Sequence, residues 1–304
     1  MGQSMQLILL YSILFIILIA FIIGCKHVII EDDVSTKKTL KPADIEDSVN
    51  KPQDWLRLDN EIRNGNFGLL HSVLVIQENK NAFENYYNDW KAQEIHDLQS
   101  ATKSVASILI GIAIDKGYIK SVNQKLTELL PNYPFEDSDS LKNNIRLKDL
   151  LTMTAGFEWK EQSVKYHQPG NTLTDMYAQE KDWLDYILDL PVVNKPGTKF
   201  NYNSGVSILL GAILQENIDM SIQKFAEQYL FQPLEIVNYQ WSEYFGMAHL
   251  GGGLYLTSLD MAKLGNLYLN GGSWNNQQIV SKKWVEESIR PRYRASPDAS
   301  YSYH

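Results

Sequence analysis

Ser100 and Lys103 stand three residues apart in "LQSATKSVASILIGIAIDKG", Leu98 to Gly117. Three positions along a helix return to the same face, so the amine of Lys103 can reach the hydroxyl of Ser100 within one turn. A hydroxyl at a helix N-terminus also meets free N–H groups and the positive end of the dipole, which favour an alkoxide and a developing oxyanion. Behind it, Val105, Ile108, Leu109, Ile110, Ile112 and Ile114 make the helix apolar on all sides, the mark of a buried element. Desolvation against such a surface turns a lysine amine into a proton acceptor, and the pair then supports nucleophilic attack by serine on a carbonyl. The competing reading is structural: an N-cap serine followed by a lysine whose stem packs while its head reaches water. The same spacing occurs at Ser35, Ser48 and Ser221. The first two fall in a polar tether that cannot hold a reacting geometry, and Ser221 reads as the N-cap of an amphipathic helix.

The elements that must hold Ser100 in place read as a mixed α/β or α+β domain. His71 to Asp89 predicts two strands around a polar turn at Glu78–Asn81, and the apolar run Ser72–Gln77 is expected to be a central strand. The helix that opens at Ser100 should close near Gly117. Short helical pieces follow from Val122 to Leu151, with apolar residues at helical spacing ahead of Gly156. "GVSILLGAILQEN", Gly205 to Asn217, predicts a second largely buried helix, and Ser221 to Leu230 a third, amphipathic one. Thr257, three residues before Asp260, suggests a capping box for a helix that stops at Asn270-Gly271-Gly272.

Composition sets outer limits. The 304 residues are 44% hydrophobic and 11% aromatic, enough for a substantial core. A net charge of -8 without a Lys/Arg cluster excludes a nucleic-acid binder working by phosphate neutralisation. Leu7 to Cys25 is an apolar run at the lower limit for crossing a bilayer. It ends in Cys25, the only cysteine, so no intrachain disulfide can form. Ile22-Ile23-Gly24-Cys25 resembles a bacterial lipobox, which implies cleavage before Cys25, a lipid on its thiol and an extracytoplasmic location in the cell envelope. Met1 to Gln6 lacks the basic residues usual in a secretory leader, which leaves an uncleaved membrane helix as the alternative. The expected organisation is therefore a signal peptide or membrane anchor over 1–24, a charged tether over 25–53 and the folded domain over 54–304.

Taken together, five segments in order bear a resemblance to the serine β-lactamase and penicillin-binding-protein superfamily, in particular the class C-like serine hydrolases and the 6-aminohexanoate-dimer hydrolases. They are "HSVLVIQENKNAFENYYND", "HDLQSATKSVASILIGIAIDKGYIKSVNQKLTELLP", "IRLKDLLTMTAGFEW", "PGTKFNYNSGVSILLGAIL" and "GGGLYLTSLDMAKLGNLYLNGGSWNNQQIVS", within about Leu70 to Pro291. The resemblance implies a β-lactamase/transpeptidase-like fold, an antiparallel sheet flanked by helices with a helical subdomain. It makes Ser100 the acylated nucleophile and Lys103 its partner. Tyr202, in Phe200–Gly205, matches the tyrosine of the family's Tyr-x-Asn motif, where it shuttles a proton between nucleophile and leaving group. Ser204 replaces the family's Asn, which points away from β-lactamases and toward the esterase, amidase and peptidase branch. Trp159, Tyr166 and Trp183, with Ser204, are candidates for the pocket border. The implied substrates are small amides, esters or D-amino-acid peptides, peptidoglycan-derived peptides among them, with no metal or organic cofactor.

The family's third motif, a Lys-Thr-Gly or His/Gly-rich strand, is not found before His304, so the resemblance implies a chain truncated at its C-terminal strands. A catalytically inactive cell-envelope binding protein is the alternative function on that ground, and a D-Ala-D-Ala carboxypeptidase or β-lactamase a further one. Other chemistries find little support. There is no Gly-x-Ser-x-Gly elbow, and the six histidines are scattered without metal-ligand spacing, His96 and His249 reading as structural or pocket residues.

Overall fold

A computed structural model of the chain describes residues 52–77, 80–135, 140–296 and 299–304. The apolar N-terminal run, the lipobox-like Cys25 and the tether as far as residue 51 lie outside the described residues. In chain order the main elements are α1 (Pro52–Arg63), β1 (Ser72–Gln77), β2 (Lys80–Tyr86), β3 (Ile95–Asp97), α2 (Thr102–Asp115), α3 (Leu147–Leu151), α4 (Gly205–Asn217), β4 (Tyr239–Trp241), β5 (Leu254–Thr257), α5 (Ser258–Leu269) and α6 (Lys282–Ser288). Antiparallel pairs and helices alternate in an α+β arrangement, as the sequence predicts. Among the described residues no helix is long and apolar enough to cross a membrane. The contacts divide the described chain into two compact units, one running to Glu94 and including Thr257–Leu269, the other comprising Ile95–Leu256 and Asn270–His304.

In the first unit β1 and β2 form an antiparallel hairpin, Ser72 facing Tyr86 and Gln77 facing Lys80, with a register shift at Val75/Ile76. The hairpin is the one expected, but β1 is not central. Among the described residues it pairs on one edge only, and its side chains are half-buried. Part of the cover that its apolar residues require comes from α5, whose Ser258 Oγ lies 2.7 Å from Ser72 Oγ. Asp59 of α1 accepts hydrogen bonds from Arg63 Nε, Asn85 Nδ2 and Tyr87 Oη, which ties the helix to the end of β2. The predicted cap of α5 is present: the amide of Asp260 donates to Thr257 Oγ1 over 3.1 Å, and Thr257 Oγ1 donates to Asp260 Oδ2 over 2.8 Å.

The second unit is built on two helices that are apolar all round. Residues 102–113 of α2, Ser104 excepted, and 205–214 of α4 are buried, and the two helices pack together. Each fully covered Ile or Leu side chain contributes roughly 1.5–3 kcal/mol relative to exposure, so the pair forms the stable floor of the unit. Strands β3, β5 and β4 lie side by side in that order, with β4 and β5 antiparallel. With three or four residues each, they are too short for a period-two signal. α2 ends as predicted: the Lys116 and Gly117 amides cap it, and Gly117 takes φ +81°.

Gly156 is fixed by its surroundings as well as by its backbone. It takes φ +87°, and a Cβ there would sit 2.1 Å from the carbonyl oxygen of Asn194. Its own carbonyl accepts from the amides of Val193 and Asn194. Gly156→Ala is therefore expected to destabilise the fold by more than about 2 kcal/mol, read as a lower urea midpoint at unchanged slope.

Candidate active site

Ser100 and the groups around it all belong to the second unit. The α-helix begins two residues later than the sequence suggests, and Ser100 lies in the 3-10 turn Gln99–Ala101 that leads into it. It does not act as an N-cap, because no side-chain cap bond forms at either helix start. The preceding residue, Gln99, takes φ +46°, a left-handed conformation that costs a non-glycine residue about 1–2 kcal/mol. Three contacts hold it there: the amide of Gln99 donates to Asp97 Oδ1, its side-chain amide donates to Asp97 Oδ2, and the amide of Leu98 donates to Leu254 O. The turn thus presents Ser100 from a support on β5.

The same stretch supplies a second group. Three residues before β5, the carbonyl of Gly251 accepts from Lys103 Nζ at 2.7 Å, and Nζ lies 3.0 Å from Ser100 Oγ. Lys103 is only 2% exposed although it belongs to the first turn of α2, so it does not snorkel to water. Tyr202 completes the group, its hydroxyl 2.9 Å from Ser100 Oγ and its ring centroid 5.5 Å from Lys103 Nζ. Ser100, Lys103 and Tyr202, separated by up to 102 positions, therefore meet at one oxygen.

Tyr202 is delivered by the segment before α4. The amide of Asn201 donates to Met153 O, and its side chain donates to Trp159 O. At the helix start the capping acceptor is Asn203 Oδ1, which takes the Val206 amide at 3.2 Å. Ser204 is at the N-cap position, but its hydroxyl is turned to Glu161 Oε1 at 2.8 Å and its amide to Glu161 Oε2 at 2.8 Å. Trp159 Nε1 donates to Glu161 Oε2 at 2.8 Å and Tyr166 Oη to Oε1 at 3.1 Å. Three of the four pocket candidates, Ser204, Trp159 and Tyr166, therefore converge on a carboxylate that sequence reading passes over. Glu161 sits in a loop as one charged residue among several, and only its proximity to Trp159 and Tyr166 hints at it.

The fourth candidate, Trp183, lies elsewhere. Its ring stacks on Tyr244 with centroids 4.8 Å apart and lies 4.7 Å from Tyr177 and 5.7 Å from His249. His249 joins this aromatic group to the site, with Nε2 3.1 Å from Tyr177 Oη and the backbone two residues short of Gly251. Burial, reinforced by the nearby Lys103, pushes the His249 imidazole down to about 4. Below an unfolded-state value of 6.5 the unfolded chain takes up a proton that the folded chain refuses until about pH 4. The stability tied to neutral His249 is thus complete above pH 6.5 and is lost as the pH falls toward 4, by at most roughly 3 kcal/mol. Thermal unfolding between pH 7 and 4.5 should show a shallower decline in His249→Gln than in the unsubstituted protein.

Comparison with known proteins places the chain in a family. Residues 71–304 match the family model described as Beta-lactamase. Among curated proteins, a "putative D-alanyl-D-alanine carboxypeptidase" of Salmonella typhimurium is 23% identical over 256 residues, 68% of this chain and 57% of that protein. The chain thus spans little more than half the length of that relative. Among solved structures, a "putative 6-aminohexanoate-dimer hydrolase" from Bacillus anthracis aligns with a TM-score of 0.65 at 18% identity, covering 79% of this chain and 65% of that one. A penicillin binding protein from Bacillus halodurans aligns with a TM-score of 0.61 at 18% identity, covering 76% and 78%. These structural likenesses bear on the fold, and the family model spans most of the chain: it belongs to the Beta-lactamase family.

Proposed function

We propose that the chain is a serine hydrolase that cleaves amide or ester bonds through an acyl-enzyme on Ser100. The observation that carries this reading is the convergence of Lys103 Nζ and Tyr202 Oη on Ser100 Oγ, at 3.0 and 2.9 Å, in a largely dry setting. An ordinary N-cap serine has no use for two proton-carrying side chains at its oxygen. In the proposed step, Ser100 Oγ attacks the carbonyl carbon while its proton passes to whichever of the two partners is in its basic form. The Ser100 amide stabilises the oxyanion, and the proton then goes to the departing alcohol or amine. Water attacks the ester so formed by the same route in reverse and frees the acid. The Gly251 carbonyl fixes the second hydrogen of Lys103 and so keeps the amine aimed at Ser100.

Small amides, esters and D-amino-acid peptides, including fragments of peptidoglycan, are the proposed substrates. The carboxypeptidase name of the curated relatives supports the last of these. An extracytoplasmic location with a lipid on Cys25 is part of the proposal, supported by the apolar run Leu7–Cys25 and the lipobox-like Ile22–Cys25. A panel of p-nitrophenyl esters, D-amino-acid amides and D-Ala-D-Ala peptides tests the reaction class. Turnover of at least one class, blocked by a fluorophosphonate, is expected, and absence of turnover in folded protein would favour a binding role. On the best substrate, Tyr202→Phe should lower kcat by about 10²- to 10³-fold, since it removes the transferable proton and leaves the ring.

A further inference from the structure

We infer that Glu161 is a positioning residue for this reaction, setting the place of the Tyr202 hydroxyl through Ser204. The inference rests on the reading of Ser100 as nucleophile and Tyr202 as its proton partner. Glu161 is 2% exposed, and among the described residues its carboxylate partners are four neutral donors. Buried charge is tolerated only where hydrogen bonds replace its hydration, and four donors saturate a carboxylate. No lone pair remains for a substrate, so this is not a binding subsite. What the carboxylate does is hold two neighbours of the tyrosine. It takes both the amide and the hydroxyl of Ser204, two residues after Tyr202. It also anchors the indole of Trp159, whose ring lies so close to Gly205 that a Cβ there would come within 2.8 Å of Cη2. The turn that carries Tyr202 into α4 is thereby fixed, and the occupied Ser204 hydroxyl leaves the capping role to Asn203.

The four donors are not equivalent. Oε2 faces the Trp159 and Ser204 N–H groups, which can only donate, whereas Oε1 faces two hydroxyls, which can rotate and accept. A glutamine with its oxygen in the Oε2 place and its amide nitrogen in the Oε1 place keeps every contact and loses only the charge. An aspartate keeps the charge but is one methylene too short to hold all four. A positioning role therefore predicts that Glu161→Gln retains activity and Glu161→Asp does not.

The test is the rate of Ser100 labelling by a fluorophosphonate and the kcat and KM for a small activated ester, in wild type, Glu161→Gln and Glu161→Asp. Glu161→Gln should stay within about threefold of wild type, as expected when all four hydrogen bonds persist. Glu161→Asp should lose about 10- to 100-fold in kcat and labelling rate with KM changed less than about threefold, the cost of a displaced catalytic group. Equal activity in wild type and Glu161→Asp, or a loss in Glu161→Gln as large as that in Glu161→Asp, overturns the positioning role while leaving the nucleophile in place. Wild-type protein that takes no label at Ser100 overturns the reading of the nucleophile, and this inference with it.

Discussion

Ser100→Ala is expected to reduce kcat on the best ester or amide substrate by about 10⁵-fold or more, with substrate binding nearly unchanged. The size follows from the role: the hydroxyl supplies the bond-forming atom, and removal of the serine of a comparable acyl-transfer centre costs about 10⁶-fold. What survives is the activity of a pocket that still holds the carbonyl near oxyanion donors. The fold should tolerate the change, because Ser100 caps no helix and, among the described residues, the hydrogen-bond partners of its oxygen are Lys103 and Tyr202. Steady-state kinetics, with binding of a non-hydrolysable amide followed by calorimetry, separate the two quantities. A residual rate within tenfold of wild type would place the chemistry on another residue.

Lys103→Met carries the second largest expected effect, a fall in kcat of about 10³- to 10⁴-fold, at the upper end for removal of a general base. Methionine matches the lysine stem in length and suits a position that is 98% covered, so the helix should stay folded. Removing the amine spares the desolvation of a buried polar head. The lost contact to Gly251 O offsets part of that gain. The expected signature is an inactive protein whose unfolding midpoint lies near that of wild type. Lys103→Arg should not restore activity, because a guanidinium stays protonated and its planar fork does not fit the space of a single Nζ. Rapid-quench measurement of the first turnover would show the loss in the acylation step.

The pairing of Ser100 with Lys103 and the helix behind them were legible in the sequence because those signals are local, whereas the nucleophile role proposed for Ser100 came with the family resemblance. Ser100 and Lys103 are a helical turn apart, the apolar body of α2 follows at once, and the same holds for α4 and for the Thr257–Asp260 cap. Tyr202 was legible only through resemblance, since nothing local encodes that its hydroxyl returns to Ser100, 102 positions away. Strands β3, β4 and β5 were missed because a strand of three or four residues is too short to show alternation, yet β5 and the preceding Gly251 position both Ser100 and Lys103. Glu161 was missed for a different reason. A loop carboxylate is usually solvated, and what makes this one buried is a set of donors drawn from residues 159, 166 and 204 that only the folded chain brings together. Local periodicity therefore revealed the main helices and the Ser100–Lys103 pairing, and long-range hydrogen bonds account for what it left out.

The most direct test of the central claim is the site of covalent attachment. Protein incubated with a fluorophosphonate is measured by intact mass, then digested, and the modified peptide is sequenced by fragmentation. One adduct per chain on the peptide containing Ser100, with none formed by Ser100→Ala, is the result the geometry predicts. An adduct on another serine, or no adduct in protein shown to be folded by circular dichroism, would contradict the assignment of Ser100 as the nucleophile.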